Sequence, residues 1–91
     1  MTESDDMRTK RIISDTLSLC RDLLTDNDVQ EISDFIENNE YELAAETLCF
    51  ALVEDKASPP MTLMSLLRAL PFIDEMRPGL LEEVENLVAN V

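Results

Sequence analysis

The segment DFIENNEYELAAETL, residues 34–48, predicts the end of one helix, a sharp turn and the start of a second helix. It contains five carboxylates, no basic residue and no glycine. Asn38 and Asn39 mark the turn, because asparagine tolerates the left-handed backbone conformation at a helix C-terminus better than most residues do. The segment therefore predicts an acidic helical hairpin.

Apolar residues recur at helical spacing on both sides of this hairpin. Ile13, Leu17, Cys20 and Leu24 fall at i, i+4, i+7 and i+11, which places them on one face of a helix. Similar stripes continue along the chain and are broken by Asn, Ser and Pro. We expect helices at 7–24, 26–38, 40–56 and 60–70, a short helical turn at 71–76, and a last helix opened by Pro78.

These elements predict an all-α fold, a single compact bundle of about five helices over residues 7–91, preceded by a disordered N-terminus at 1–6. The third helix is apolar nearly all round after Glu46, which is typical of the central helix of a bundle. The alternative is an exposed apolar strip around Phe50 that binds a partner helix.

The charge of the chain is strongly negative. Seven Lys and Arg stand against twenty Asp and Glu, a net charge of −13. Eleven of the acids lie between Asp22 and Asp55, a stretch with no Lys or Arg. Nucleic acid and anionic membranes would be repelled, so we expect neither as a partner. The charge is either a solvated surface or a docking face for a basic protein.

The composition argues against an enzyme and against a bound cofactor. The chain has no histidine, and Gly79 is its only glycine, so there is neither the commonest general base nor a phosphate-binding loop. Asp26, Asp28, Gln30 and Glu37 have the spacing of calcium ligands in an EF-hand. Glu31 stands where that loop needs glycine, so we expect no metal site.

The cysteines and the N-terminal sequence indicate the cellular compartment of the protein. Cys20 and Cys49 lie in apolar helical stretches, which is typical of buried thiols in a reducing compartment. The sequence starts acidic and polar, unlike a signal peptide, and no apolar run approaches the length of a membrane span. We therefore expect a cytoplasmic protein.

Residues 32–52, ISDFIENNEYELAAETLCFAL, resemble the core of small bacterial immunity proteins. These are the partners of contact-dependent growth inhibition toxins and of Maf-type polymorphic toxins. The resemblance lies in a helix ending in Ile-Glu, a short turn, and the pattern Glu-aromatic-x-Leu-Ala-x-Glu-x-Leu. The family turn often includes glycine, where this chain has Asn38-Asn39, and glycine is also common where Glu42 stands.

The resemblance implies that the protein binds and neutralises a cognate toxin domain, expected to be a basic ribonuclease, by covering its nucleic-acid site with acidic side chains. Together with the concentration of acids on the hairpin, the resemblance predicts these toxin-binding residues: Glu31, Asp34, Glu37, Glu40, Tyr41, Glu42 and Glu46. The alternative is an acidic helical adaptor that binds a partner helix through an apolar groove. The sequence does not distinguish a monomer from a dimer.

Overall fold

Residues 5–89, the part of the chain that the computed structural model describes, contain five α-helices and two short 3-10 helices. We number the α-helices in chain order, and no strand occurs among these residues. The α-helices are α1 (Asp5–Cys20), α2 (Asp26–Glu37), α3 (Tyr41–Glu54), α4 (Thr62–Arg68) and α5 (Leu80–Ala89). The 3-10 helices are Arg21–Leu23 and Ile73–Glu75. The predicted all-α fold of about five helices is confirmed.

The first helix differs from its predicted bounds at both ends. It begins at Asp5, so Asp5 and Asp6 are helical, although they were assigned to a disordered N-terminus. Residues 1–4 of that predicted segment lie outside the described part of the chain. Beyond Cys20 the helix tightens into the 3-10 turn, and Leu24 is extended. Thr25 then caps α2, because its hydroxyl accepts a hydrogen bond from the Asp28 N–H at 3.1 Å.

Helices α4 and α5 are shorter than predicted. Pro59 and Pro60 delay the start of α4 to Thr62, and the helix ends at Arg68, three residues before Pro71. The last helix begins at Leu80, because Gly79 has a φ of +85° that an α-helix cannot accommodate. The predicted short turn is the 3-10 helix at Ile73–Glu75.

Helix α3 is the central helix of the bundle. It packs against α1, α2 and α5. Ala44, Leu48, Cys49 and Leu52 are fully buried along it. Only small parts of its apolar surface reach solvent, notably at Leu43 and Phe50. The apolar sequence after Glu46 is thus used mainly to build the core.

The hairpin turn between α2 and α3 is a Schellman motif built without glycine. Asn39 adopts the left-handed conformation, with φ +61°. The Glu40 N–H donates to the Phe35 carbonyl at 2.9 Å, and the Asn39 N–H donates to the Ile36 carbonyl at 3.1 Å. The predicted role of asparagine at this turn is confirmed.

Helix α3 ends in a second Schellman motif, and here the left-handed residue is Lys56, with φ +51°. The Ala57 N–H donates to the Leu52 carbonyl at 3.0 Å, and the Lys56 N–H donates to the Val53 carbonyl at 3.2 Å. Lysine has a Cβ atom that disfavours this conformation by about 1–2 kcal/mol, whereas glycine adopts it freely. The second turn is therefore locally strained.

Lys56→Gly is expected to raise the free energy of unfolding by about 0.5–1 kcal/mol, because relief of the strain exceeds the entropy that glycine adds to the unfolded chain. Urea unfolding followed by circular dichroism measures the change. The control is Asp55→Gly, since Asp55 has a right-handed φ of −85° and should show no gain. An equal gain in both variants would contradict the assignment of strain to Lys56.

Candidate functional site

Three of the predicted toxin-binding acids lie on the outer face of α2. Glu31, Asp34 and Glu37 are exposed there, whereas Ile32 and Ile36 are buried on the opposite side. Each of the three acids follows the previous one by three residues, so one helix surface presents all three. This part of the predicted site is a single, solvent-facing acidic strip.

The acids of the hairpin form no ion pair within residues 5–89. Gln30 donates a hydrogen bond from its side-chain amide to the Asp34 carboxylate at 3.0 Å. Because the amide is neutral, this hydrogen bond does not balance the negative charge. An ion pair does form elsewhere, between Arg68 and Glu85 at 2.7 Å, on the exposed surface of α4 and α5. The negative charge of the hairpin is therefore not neutralised within the described structure.

Glu46 is placed differently from the other predicted acids. It is half-buried, and its carboxylate accepts a hydrogen bond from the Arg77 backbone N–H at 3.3 Å. The Arg77 guanidinium lies over the Phe50 ring, 5.3 Å from its centroid. Glu46 and Phe50 thus tie the segment before α5 to α3. Glu46 has a structural contact that the sequence did not predict.

Tyr41 lines a cavity of about 370 Å³. Its hydroxyl donates to the Asn39 side-chain oxygen at 2.8 Å, which fixes the ring against the turn. The cavity lies where the start of α3 meets α1 and the segment after α4. It is lined by Asp6, Thr9, Asn39, Glu40, Tyr41, Glu42, Leu43, Pro71 and Phe72. We call it the Tyr41 cavity.

The Tyr41 cavity joins three predicted site residues to residues that the sequence analysis missed. Glu40, Tyr41 and Glu42 were predicted, whereas Asp6 had been assigned to a disordered segment and Phe72 to a connecting turn. The available signal was the acidic pair Asp5-Asp6, which is typical of a helix N-terminus. Only the packing of α1 beside the hairpin could place Asp6 next to Tyr41.

A second concave surface lies between α4 and α5 and is mainly apolar. We call it the Met61 groove. Its volume is about 760 Å³, and the Met61 side chain at its edge is 79% exposed. The groove is lined by Ser58, Pro59, Pro60, Met61, Met64, Arg68, Glu85 and Val88. It differs from the exposed strip around Phe50 that the sequence offered as an alternative binding surface.

The segment with EF-hand-like spacing forms part of one continuous helix. Asp26, Asp28, Gln30 and Glu37 all belong to α2, so no calcium-binding loop encloses them. Within residues 5–89 no group of three or more acidic or cysteine side chains is arranged to hold a metal ion. No helix in the same range is long and apolar enough to cross a lipid bilayer.

Both cysteines are buried, free thiols. Burial raises the pKa of Cys20 to about 11. The pKa of Cys49 rises to about 12, mainly through burial and further through the nearby Cys20 and Glu46. Since the thiolate is the nucleophile, neither cysteine suits covalent chemistry at neutral pH.

Both thiols of the native protein are expected to resist Ellman's reagent at pH 8 and to react once the chain is unfolded in guanidinium. The raised pKa values also predict that the free energy of unfolding falls as the pH rises above 9, because the unfolded chain then loses thiol protons that the folded chain keeps. Colorimetric labelling and urea unfolding at increasing pH measure the two effects. Rapid labelling of a native thiol would contradict the burial of the cysteines.

Comparisons with known proteins give no relative from which a function could be inferred. The chain matches no protein-family model, no curated protein and no solved structure. The functional hypothesis therefore rests on the residues of the hairpin, the Tyr41 cavity and the resemblance carried by residues 32–52.

Proposed function

We propose that this protein is an immunity protein that binds a basic toxin domain, expected to be a ribonuclease of a contact-dependent growth inhibition system, and blocks its nucleic-acid site. The single observation that carries the proposal is the uncompensated acidic surface of the hairpin. It consists of exposed carboxylates that make no ion pair within residues 5–89: Glu31, Asp34, Glu37, Glu40 and Glu42.

Concentrating like charges on one hairpin destabilises the free protein slightly, since acids three or four residues apart on a helix repel each other. A basic partner relieves this repulsion, and attraction between the two surfaces also speeds their association. A nuclease domain carries lysines and arginines that hold the phosphates of its substrate. Carboxylates on the hairpin take the place of those phosphates and exclude the nucleic acid.

The proposed function requires binding only and no catalytic step by this chain. Its side chains act by position and charge, so the expected result is a stoichiometric complex and not turnover of a substrate. The resemblance implies that the complex forms in the cytoplasm of the producing or sibling cell, and that the toxin gene lies directly before the gene for this protein.

Affinity capture with a salt gradient tests the proposal. The tagged protein is incubated with lysate of its native cell at low salt and eluted with rising salt. We expect a basic domain with nuclease activity to elute before about 1 M salt, where the Debye length is only about 3 Å. A neutral partner that remains bound at that salt concentration would contradict a mainly electrostatic interface.

The Met61 groove favours a second candidate function, an adaptor that binds an apolar helix. Methionines adapt to varied apolar partners, and Met61 is largely exposed beside Pro60 and Met64. Such a complex should resist salt and be lost in Met61→Asp. A salt-sensitive complex that tolerates Met61→Asp would exclude the adaptor and leave the acidic hairpin as the interface.

A further inference from the structure

We propose that the Tyr41 cavity receives a single arginine side chain; that this arginine belongs to a toxin domain rests on the function proposed above. The cavity volume of about 370 Å³ is at the small end of the roughly 300–1,000 Å³ typical of ligand pockets. This volume is large enough for one long side chain.

The lining of the cavity combines negative charge with aromatic surface. Asp6, Glu40 and Glu42 contribute carboxylates, and no lysine or arginine lines the cavity. Tyr41 and Phe72 contribute half-buried rings. A guanidinium is planar, stacks on aromatic faces and donates paired hydrogen bonds to carboxylates. Lysine lacks the planar group, so arginine matches this lining better.

Thr9 adds a polar side chain to the lining of the cavity. It lines the cavity and is only 5% exposed, and no protein group within residues 5–89 forms a hydrogen bond with its hydroxyl. No fully buried side-chain oxygen in that range lacks a partner, so the Thr9 hydroxyl is open to solvent space. Asp6 lies three residues earlier on the same face of α1. Thr9 also borders a smaller depression lined by Arg8, Ala69 and Pro71, so it lies where the two depressions meet.

The Tyr41 ring is tied to the hairpin turn by a hydrogen bond. The Tyr41 hydroxyl donates to Asn39, and Asn39 is held in its left-handed conformation by the Schellman motif. A ring that is already fixed loses little conformational entropy on binding. The hairpin turn thus also orients the ring against which the arginine packs.

The test uses the wild-type protein labelled with ¹⁵N and titrated with N-acetyl-arginine amide, followed by NMR. We expect saturable shifts of the backbone amides at Thr9, Asn39, Tyr41 and Phe72. N-acetyl-citrulline amide has nearly the same shape as the arginine compound but no charge. N-acetyl-lysine amide has the positive charge but lacks the planar guanidinium group. Both should bind at least about tenfold more weakly, since a hydrogen bond to a charged group is worth roughly that factor.

Matched variants separate the cavity from general surface charge. Glu42→Gln should weaken the binding of N-acetyl-arginine amide about tenfold, whereas Glu82→Gln, an equal loss of charge at the start of α5, should leave it unchanged. Equal weakening in both variants, shifts outside the cavity, equal binding of the citrulline or lysine compound, or no saturable shift would each overturn the arginine site.

The outcomes for the arginine site and for the proposed function are separable. Failure of the arginine titration together with salt-sensitive capture of a basic nuclease would remove this site and leave the immunity function standing. Saturable binding of N-acetyl-arginine amide, in a protein that captures no basic nuclease, would support the arginine site. It would also show that the arginine does not come from a toxin domain.

Discussion

Leu48→Ala is expected to lower the free energy of unfolding by about 2–5 kcal/mol. Leu48 is fully buried on α3, where this helix meets α1, α2 and α5. Truncation removes apolar contacts and leaves a cavity that the surrounding helices fill only in part. Because small domains are stable by only about 5–15 kcal/mol, the loss is a large share of the total. Urea unfolding followed by circular dichroism measures it.

The matched control is Leu43→Ala, the same substitution on the same helix at a side chain that is 45% exposed. We expect a change of about 0.5 kcal/mol, typical of substitutions away from the core. If both variants lose the same amount of stability, α3 is not the central helix of the bundle in solution.

The double substitution Glu40→Lys/Glu42→Lys is expected to weaken the proposed complex with a basic toxin domain at least about 30-fold, which corresponds to about 2 kcal/mol. Both side chains are exposed at the start of α3, so their reversal should leave the fold intact. It places two positive charges against a basic surface, and such juxtaposition of like charges costs several kcal/mol. Isothermal titration calorimetry measures the affinity.

Its control is Glu82→Lys/Glu83→Lys, which changes the net charge by the same amount in the first turn of α5. This variant should retain nearly the affinity of the wild type, because its acids lie outside the hairpin. A similar loss in both variants would mean that overall charge, and not the hairpin, determines binding. Circular dichroism of both variants verifies that they are folded.

The hairpin could be predicted from the sequence because its signals are local. Apolar periodicity indicates helices α2 and α3, and Asn38-Asn39 supplies a residue that accepts positive φ. The central position of α3 follows from the same kind of signal, since a helix that is apolar nearly all round must be covered. Exposure of the acids on α2 then follows from the burial of Ile32 and Ile36.

The set of residues that come together at the site could not be predicted in the same way, because it depends on contacts between segments distant in sequence. The Tyr41 cavity brings Asp6 and Phe72 to the hairpin, and the Arg77 backbone engages Glu46 across 31 residues. The helical conformation of Asp6 likewise could not be predicted from the local sequence. Two acids at the end of a chain match a helix N-terminus and a disordered segment alike.

The most direct test of the central claim is a titration of nuclease activity. A basic domain captured in the proposed salt-gradient experiment is freed at high salt, returned to low salt and supplied with RNA. Cleavage is then followed as purified protein is added. We predict complete inhibition at one equivalent of the wild type, with Glu82→Lys/Glu83→Lys equally effective and Glu40→Lys/Glu42→Lys much weaker. Unchanged RNA cleavage at an excess of wild-type protein would contradict it.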